Sequence, residues 1–184
     1  MNKTYKMTIA GLERELPLCP LDEHLSIGAF VIFGDVELTV ASAEALLKKL
    51  PEFDVLVTAE AKGIPLAYEM ARQSGKPYYI ARKYPKLYMS EPISVEVRSI
   101  TTDKVQTLYL DGLELSAMTG KRIVLIDDVI STGESIQAIE KLVEQTDCEI
   151  VARAAILAEG DAIGGDYVYL EPLPLFRDGQ PILD

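Results

Sequence analysis

The stretch from Arg122 to Ser135 reads Arg-Ile-Val-Leu-Ile-Asp-Asp-Val-Ile-Ser-Thr-Gly-Glu-Ser and gathers side chains that can do chemistry together. Asp127 and Asp128 are adjacent carboxylates, suited to accept hydrogen bonds from sugar hydroxyls or to hold magnesium through water. They are unsuited to phosphate, because anion repels anion. Ser131, Thr132 and Ser135 supply hydroxyl donors, and Gly133 can take the positive φ that turns backbone N–H groups inward. A helix beginning at Glu134 adds its positive N-terminal end. Hydroxyls on the acidic pair and a phosphate on the loop describe a phosphorylated sugar. Taken singly, these residues are ordinary structural chemistry: aspartates cap helices, and Ser-Thr-Gly makes turns. Their succession behind an unbroken apolar strand is what singles them out.

Something must hold that stretch in place. Ile123 to Ile126 has the continuous apolar pattern of a central parallel strand, and the helix over 134–146 presents Ile136, Ile139, Leu142 and Val143 on one face. Upstream, the spacing predicts a helix from Val40 to Leu50 stopped by Pro51, and a strand from Phe53 to Thr58. The loop Glu60-Ala-Lys-Gly63 leads to a second helix, Ile64 to Ser74, closed by Gly75. Pro77 to Ala81 is the next strand. Strand, helix and strand with such short links make a βαβ unit and imply a parallel sheet. Ile150 to Leu157 is a further buried strand, 161–166 a glycine-rich turn, and Tyr167 to Leu170 a short strand, with Pro172 and Pro174 breaking up the tail. The fold class is α/β: a doubly wound parallel sheet with helices on both faces. Ligands of such sheets sit beyond the carboxyl ends of the strands. That end collects Glu60 to Gly63, Arg82-Lys83 and Asp127 to Ser135.

Two regions depart from the pattern. Arg82 to Met89 concentrates cations and aromatics in an otherwise acidic chain. Two alternating segments follow, Ile93–Ser99 and Val105–Leu110, separated by a turn at Thr101–Lys104. Residues 82–110 therefore form a β-hairpin flap, expected to project from the sheet as a lid or oligomer contact. Residues 1–34 form a small N-terminal hood element, in which Pro17 and Pro20 should interrupt any regular structure. Residues 1–184 are read as a single domain.

The bulk properties narrow the function. A net charge of -11 excludes a general nucleic-acid binder. His24 is the sole histidine and has no triad or metal partners nearby, which leaves a zinc site improbable. Cys19 and Cys148 read as free thiols, with a single disulfide as the alternative. No signal peptide or membrane span is expected, so the default location is the cytoplasm. The chain lacks Gly-x-x-x-x-Gly-Lys-Ser/Thr and Gly-x-Gly-x-x-Gly, which removes P-loop and dinucleotide sites. A phospho-receiver domain would keep its acidic pair on the first strand.

Val124 to Ser135 resembles the phosphoribosyl-pyrophosphate (PRPP) motif of the type I phosphoribosyltransferases. Glu60 to Gly63 resembles the family's diphosphate loop, and Arg82-Lys83 opens what looks like its mobile flap. The likeness covers roughly 35–175 and is greatest for the purine branch with the adenine and xanthine enzymes. It implies transfer of the phosphoribosyl group from PRPP to a ring nitrogen of a base, releasing pyrophosphate. Asp127 and Asp128 would be the catalytic carboxylates, holding the ribose hydroxyls as positive charge builds on the sugar. Ser131, Thr132, Gly133, Glu134 and Ser135 would cradle the 5′-phosphate. Ala61, Lys62, Gly63, Arg82, Lys83 and Lys86 would take the pyrophosphate, with Mg2+ carried on PRPP rather than held by the protein. The family also implies a homodimer.

The acceptor is less defined. Adenine enzymes carry a Glu-Tyr pair in the flap where Thr102 and Asp103 stand here, a feature closer to the xanthine branch. The Ser-Thr-Gly-Glu-Ser loop resembles the adenine branch, and the lysine that xanthine enzymes place after the following strand is not evident near Glu159. Candidate base contacts are Phe30, Val31, Leu157 and Glu159, each with hydrophobic or structural packing as its alternative. The expected activity is purine salvage with adenine first and xanthine or another 6-oxopurine second. A reading of another class is a non-catalytic PRPP sensor, and a non-purine acceptor is a third.

Overall fold

A computed structural model describes residues 3–98 and 105–183. At its centre is β8 (Arg122–Ile130), in a five-stranded parallel sheet. The order is β10 (Val168–Leu173), β9 (Glu149–Glu159), β8, β4 (Val55–Ala59) and β5 (Tyr78–Ala81). Ile123 to Ile126 are 0% exposed, as a strand covered on both faces requires. Val124 and Ile126 pack towards α1 (Val36–Leu47) and α2 (Ile64–Ser74), whereas Ile123 and Leu125 pack towards α3 (Gly112–Ala117) and α4 (Glu134–Val143). This alternation produces the doubly wound architecture the apolar pattern implied.

The register places the acidic pair. Pairing of β8 with β4 ends at Thr58 and Ile126, but pairing with β9 continues to Ile130 and Ala158. Asp127 and Asp128 therefore lie within the strand, at the point where it loses one neighbour, rather than in the loop beyond it.

Helix α2 has the bounds expected, with Pro65 in its first turn and Gly75 left-handed at its end (φ 70°). Helix α1 starts earlier than its apolar spacing suggested. Asp35 caps it by accepting from the Leu38 N–H at 3.1 Å, and Arg14 fixes that carboxylate at 2.6 and 3.0 Å.

The N-terminal region differs from the expectation. β1 (Thr4–Ile9), β2 (Leu12–Pro20) and β3 (Leu25–Gly28) form an antiparallel sheet, and β11 (Leu175–Arg177) and β12 (Gln180–Ile182) complete it. The prolines do not break β2, because Pro17 ends its ladder with β1 and Leu18 begins its ladder with β3. Each half of that strand has one partner, so a missing N–H can face away from the ladder. Likewise Pro172 lies inside β10, an edge strand, and the tail is ordered.

The hairpin comprises β6 (Ile93–Arg98) and β7 (Val105–Leu110), paired from Ile93 with Leu110 to Arg98 with Val105. Its turn lies outside the described residues. Its root does not simply project: Leu108 and Leu110 are buried and join the apolar cluster formed with α3 and α4. Among the described residues no helix is long and apolar enough to cross a membrane.

Truncating the central strand should be costly. Leu125→Ala is expected to lower unfolding free energy by about 2–5 kcal/mol, through lost transfer energy and a cavity that rigid neighbours cannot fill. Urea denaturation checks it; a loss below about 1 kcal/mol would mean that the sheet repacks.

Candidate active site

Asp128 is 2% exposed, and such a buried carboxylate needs partners. Lys62, half-exposed at the start of the loop into α2, donates from Nζ to Oδ2 at 2.8 Å. The Asp128 N–H turns back to Asp127 Oδ1 at 2.9 Å. Burial, followed by the neighbouring Asp128 carboxylate, pushes the Asp127 carboxyl up to about 7. Asp127 thus retains its proton over much of the acid range when nothing occupies the site.

Gly63 allows the Lys62 loop to come this close. A Cβ there would overlap Thr58 Oγ1 and lie 3.4 Å from Asp127 Cα and Oδ1. Only a residue without a side chain fits between the two strand ends. The Glu60–Ala61 peptide bond in this loop is cis.

Two cavities flank the acidic pair. The first, about 120 Å³, is lined by Asp127 and by residues 129–136, including Ser131, Thr132, Gly133, Glu134 and Ser135. Gly133 has φ 75° and opens α4, so the loop turns into the helix at its N-terminus. The Thr132 hydroxyl accepts from the Glu134 N–H at 3.5 Å. The second cavity, about 330 Å³, is lined by Glu60, Ala61, Lys62, Lys83, Leu108, Asp127, Asp128, Val129 and Ser135, with Ala59 at its edge. Asp127, Val129 and Ser135 are common to both.

Glu60, a residue to which sequence reasoning assigned no role, ties the hairpin to this second cavity. Its carboxylate lies 3.7 Å from the Arg82 guanidinium and accepts from the Lys83 N–H at 3.1 Å. Arg82 and Tyr109 exchange backbone hydrogen bonds at 2.8 Å, continuing the stem of the hairpin. A carboxylate set among Lys62, Arg82 and Lys83 was the available sign of this role.

The other expected residues are more dispersed. Lys86 is not among those lining the second cavity; its N–H lies 3.4 Å from Met89 Sδ. Phe30 and Leu157 are buried in the α1–α2 side of the core, whereas Val31 is exposed. Glu159, 8% exposed at the end of β9, lies near the Ser131 side chain, and burial raises its carboxyl. Thr102 and Asp103 lie outside the described residues. His24 meets Asp178 at 2.9 Å on the antiparallel sheet, and both cysteines are free. Tyr167, which no local pattern marked, brings its hydroxyl against Gly133.

The three carboxylates facing the second cavity bear on magnesium. Asp128 is engaged by Lys62, and Glu60 by Arg82 and the Lys83 N–H. Among the described residues no group of three or more His, Cys, Asp or Glu converges as a metal cage. The donor set fits an ion that brings most of its oxygen ligands with a phosphorylated substrate.

A profile described as "Phosphoribosyl transferase domain" matches residues 38–168, spanning both cavities and the acidic pair. The chain belongs to the phosphoribosyltransferase family. A hypoxanthine/guanine phosphoribosyltransferase from Methanococcus voltae is 36% identical over 138 residues, covering 71% of this chain and 70% of that one. The purine biosynthesis transcriptional repressor PurR of Bacillus subtilis is 31% identical over 112 residues, covering 61% of this chain and 38% of its own length. An adenine phosphoribosyltransferase structure from Thermoanaerobacter pseudethanolicus superposes with a TM-score of 0.69 at 23% identity, covering 85% of this chain and 93% of that one, a likeness of fold.

The raised Asp127 carboxyl has a definite sign in this phosphoribosyltransferase-family site. Its ordinary value is 3.8, so between about 4 and 7 the unfolded chain ionises while the folded one keeps its proton. Stability contributed by that group falls as pH rises through this window and is level above it. Asp127→Asn should therefore raise the melting temperature of the ligand-free protein at pH 8 more than at pH 4.5. An equal effect at both pH values would show that the carboxyl titrates normally.

Proposed function

We propose that this protein transfers the 5-phosphoribosyl group from PRPP to a purine base, giving a nucleoside 5′-monophosphate and pyrophosphate. The observation that carries the reading is the pair of cavities sharing Asp127, Val129 and Ser135. One is built from hydroxyls and a helix start; the other holds Lys62 and Lys83. PRPP has the matching form, with a 5′-phosphate at one end, a diphosphate at the other and a ribose between them.

In this assignment residues 131–135 hold the 5′-phosphate, and Asp127 and Asp128 accept from the ribose hydroxyls. Ala61, Lys62, Gly63, Arg82 and Lys83 receive the diphosphate, with Lys86 reaching it from the hairpin side. A ring nitrogen of the base forms a bond to C1 of the ribose while the bond from C1 to the diphosphate oxygen breaks. The electron pair leaves with pyrophosphate, the base gives up its ring N–H proton to solvent or to the released pyrophosphate, and positive charge develops on the sugar beside the two carboxylates. Lys62 is placed for an exchange: it neutralises Asp128 in the empty site and turns to the diphosphate when PRPP arrives. A magnesium ion bound with PRPP would neutralise charge on the diphosphate. The hairpin, tied to the diphosphate loop through Glu60, is the element suited to exclude water.

For the acceptor we favour a 6-oxopurine, supported by the 36% identical relative named for hypoxanthine and guanine. Adenine, expected first from the motifs, competes in the same assay, and its structural neighbour supports the fold alone. Of the candidate base contacts, Phe30, Val31 and Leu157 are kept, the buried Phe30 and Leu157 through their backbones, whereas buried Glu159 lies near Ser131 of the phosphate loop. The free thiols suit a reducing cytoplasm. Exposed Phe33 and the apolar groove lined by Val36, Val40, Pro65 and Tyr68 suit a homodimer. A PRPP-binding regulator is a second reading, supported by the likeness to PurR.

Incubation with PRPP, Mg2+ and hypoxanthine, guanine, xanthine or adenine should release pyrophosphate with at least one base, hypoxanthine or guanine foremost. PRPP binding without turnover on any base would select the regulator. Asp128→Asn should lower turnover at least about tenfold, the scale of a lost charge-assisted contact, and remain folded because half-exposed Lys62 can turn to water. Unchanged turnover would remove the pair from catalysis.

A further inference from the structure

We propose that Glu159 and Tyr167 are positioning residues that brace the 131–135 loop from outside its cavity, holding it in the shape that receives a phosphate. The inference rests on the reading of that loop as a 5′-phosphate site and assigns what keeps it formed.

Two independent contacts support it. The β8–β9 register sets Val129 beside Leu157 and Ile130 beside Ala158, so the next step brings Glu159 alongside Ser131. There the buried carboxyl lies near Ser131, whose hydroxyl is placed to favour its ionised form, and Lys62 is the neighbouring cation. The second contact is at Gly133. A Cβ on this glycine would lie 2.7 Å from the Tyr167 hydroxyl oxygen and 3.7 Å from the ring carbon bearing it. The tyrosine is itself seated: a Cβ on Gly165 would come within 3.0 Å of two of its ring carbons, and its ring packs with the α4 side of the core. Neither Glu159 nor Tyr167 lines the 120 Å³ cavity. Both belong to the segment from the end of β9 to the start of β10, which therefore supports the loop at its first and third residues.

The chemistry follows from proton supply. A serine hydroxyl has one proton. While Ser131 gives it to Glu159, the donors left for phosphate are the loop N–H groups and the hydroxyls of Thr132 and Ser135. Ser131 becomes the anchor at which the loop leaves the sheet. Tyr167 fills the space a side chain would need at residue 133, so the left-handed turn is fixed by packing as well as by glycine's freedom.

The test separates the two ends of PRPP. Binding of ribose 5-phosphate and of inorganic pyrophosphate is measured by calorimetry for wild type, Glu159→Ala, Glu159→Gln and Tyr167→Phe. Glu159→Ala should weaken ribose 5-phosphate about tenfold, the equivalent of one lost oriented hydrogen bond, and leave pyrophosphate affinity unchanged. Glu159→Gln, whose amide oxygen still accepts from Ser131, should restore ribose 5-phosphate binding. Tyr167→Phe keeps the ring, removes no core volume and should weaken ribose 5-phosphate about threefold, which keeps the test decisive should Glu159→Ala fail to fold. The brace is overturned if ribose 5-phosphate affinity is unchanged in the folded variants, or if Glu159 variants alter only the KM of the base. If wild type binds neither ligand, the reading of the site falls and the brace falls with it.

Discussion

Two carboxylates placed side by side on a buried strand are the constraint that the rest of this structure accommodates. Like charges at such separation do not both ionise freely in a poorly solvated site. The fold answers asymmetrically: Asp128 is given a lysine, while the Asp127 carboxyl is pushed up by burial and by its neighbour. That arrangement costs stability when the site is empty. It also leaves two adjacent carboxyl groups able to hydrogen-bond hydroxyl groups brought to the site. The neutralising lysine comes from the loop that also borders the second cavity, so the side chain that compensates Asp128 also faces that space.

The surrounding parts follow from bringing backbone close to that pair. Gly63 permits one loop to approach from β4, and Gly133 permits the other to turn into α4. Around them are residues whose role is support. Glu60 connects the hairpin stem to the first loop, while Glu159 and Tyr167 touch the second. Charge is correspondingly local. A chain that is acidic overall concentrates Lys62, Arg82 and Lys83 at one end of its parallel sheet.

Local order was legible in the sequence where short-range rules decide it. The apolar run 123–126, the helix 64–74 with its closing glycine, and the acid-hydroxyl-glycine succession all carry their signals within a few residues. Distant partners were less visible. The start of α1 depends on Asp35, whose carboxylate is held by Arg14 from another sheet. Pro17 and Pro20 look like breakers until the change of neighbour along β2 is known. The three-residue strands β11 and β12 carry too little pattern to be recognised alone. In the site, the motif drew together the acidic pair and the hydroxyl loop, while Glu60 and Tyr167 became meaningful only once the topology had brought them beside it.

The antiparallel sheet has a consequence for the order of assembly. Its middle strand, β3, has β2 on one side and β11 on the other, with Ile27 opposite Leu175. Closing a loop of nearly the whole chain for so few ladder bonds is entropically unfavourable in an unstructured polymer. The parallel sheet shortens that effective loop once it has formed. The N-terminal hairpin of β1 and β2 can form locally, but the completed sheet must wait for the last strands, as a latch that closes after the parallel-sheet core is in place. A molecule arrested before that latch closes would retain the acidic pair and both glycine turns, yet lack the completed second sheet.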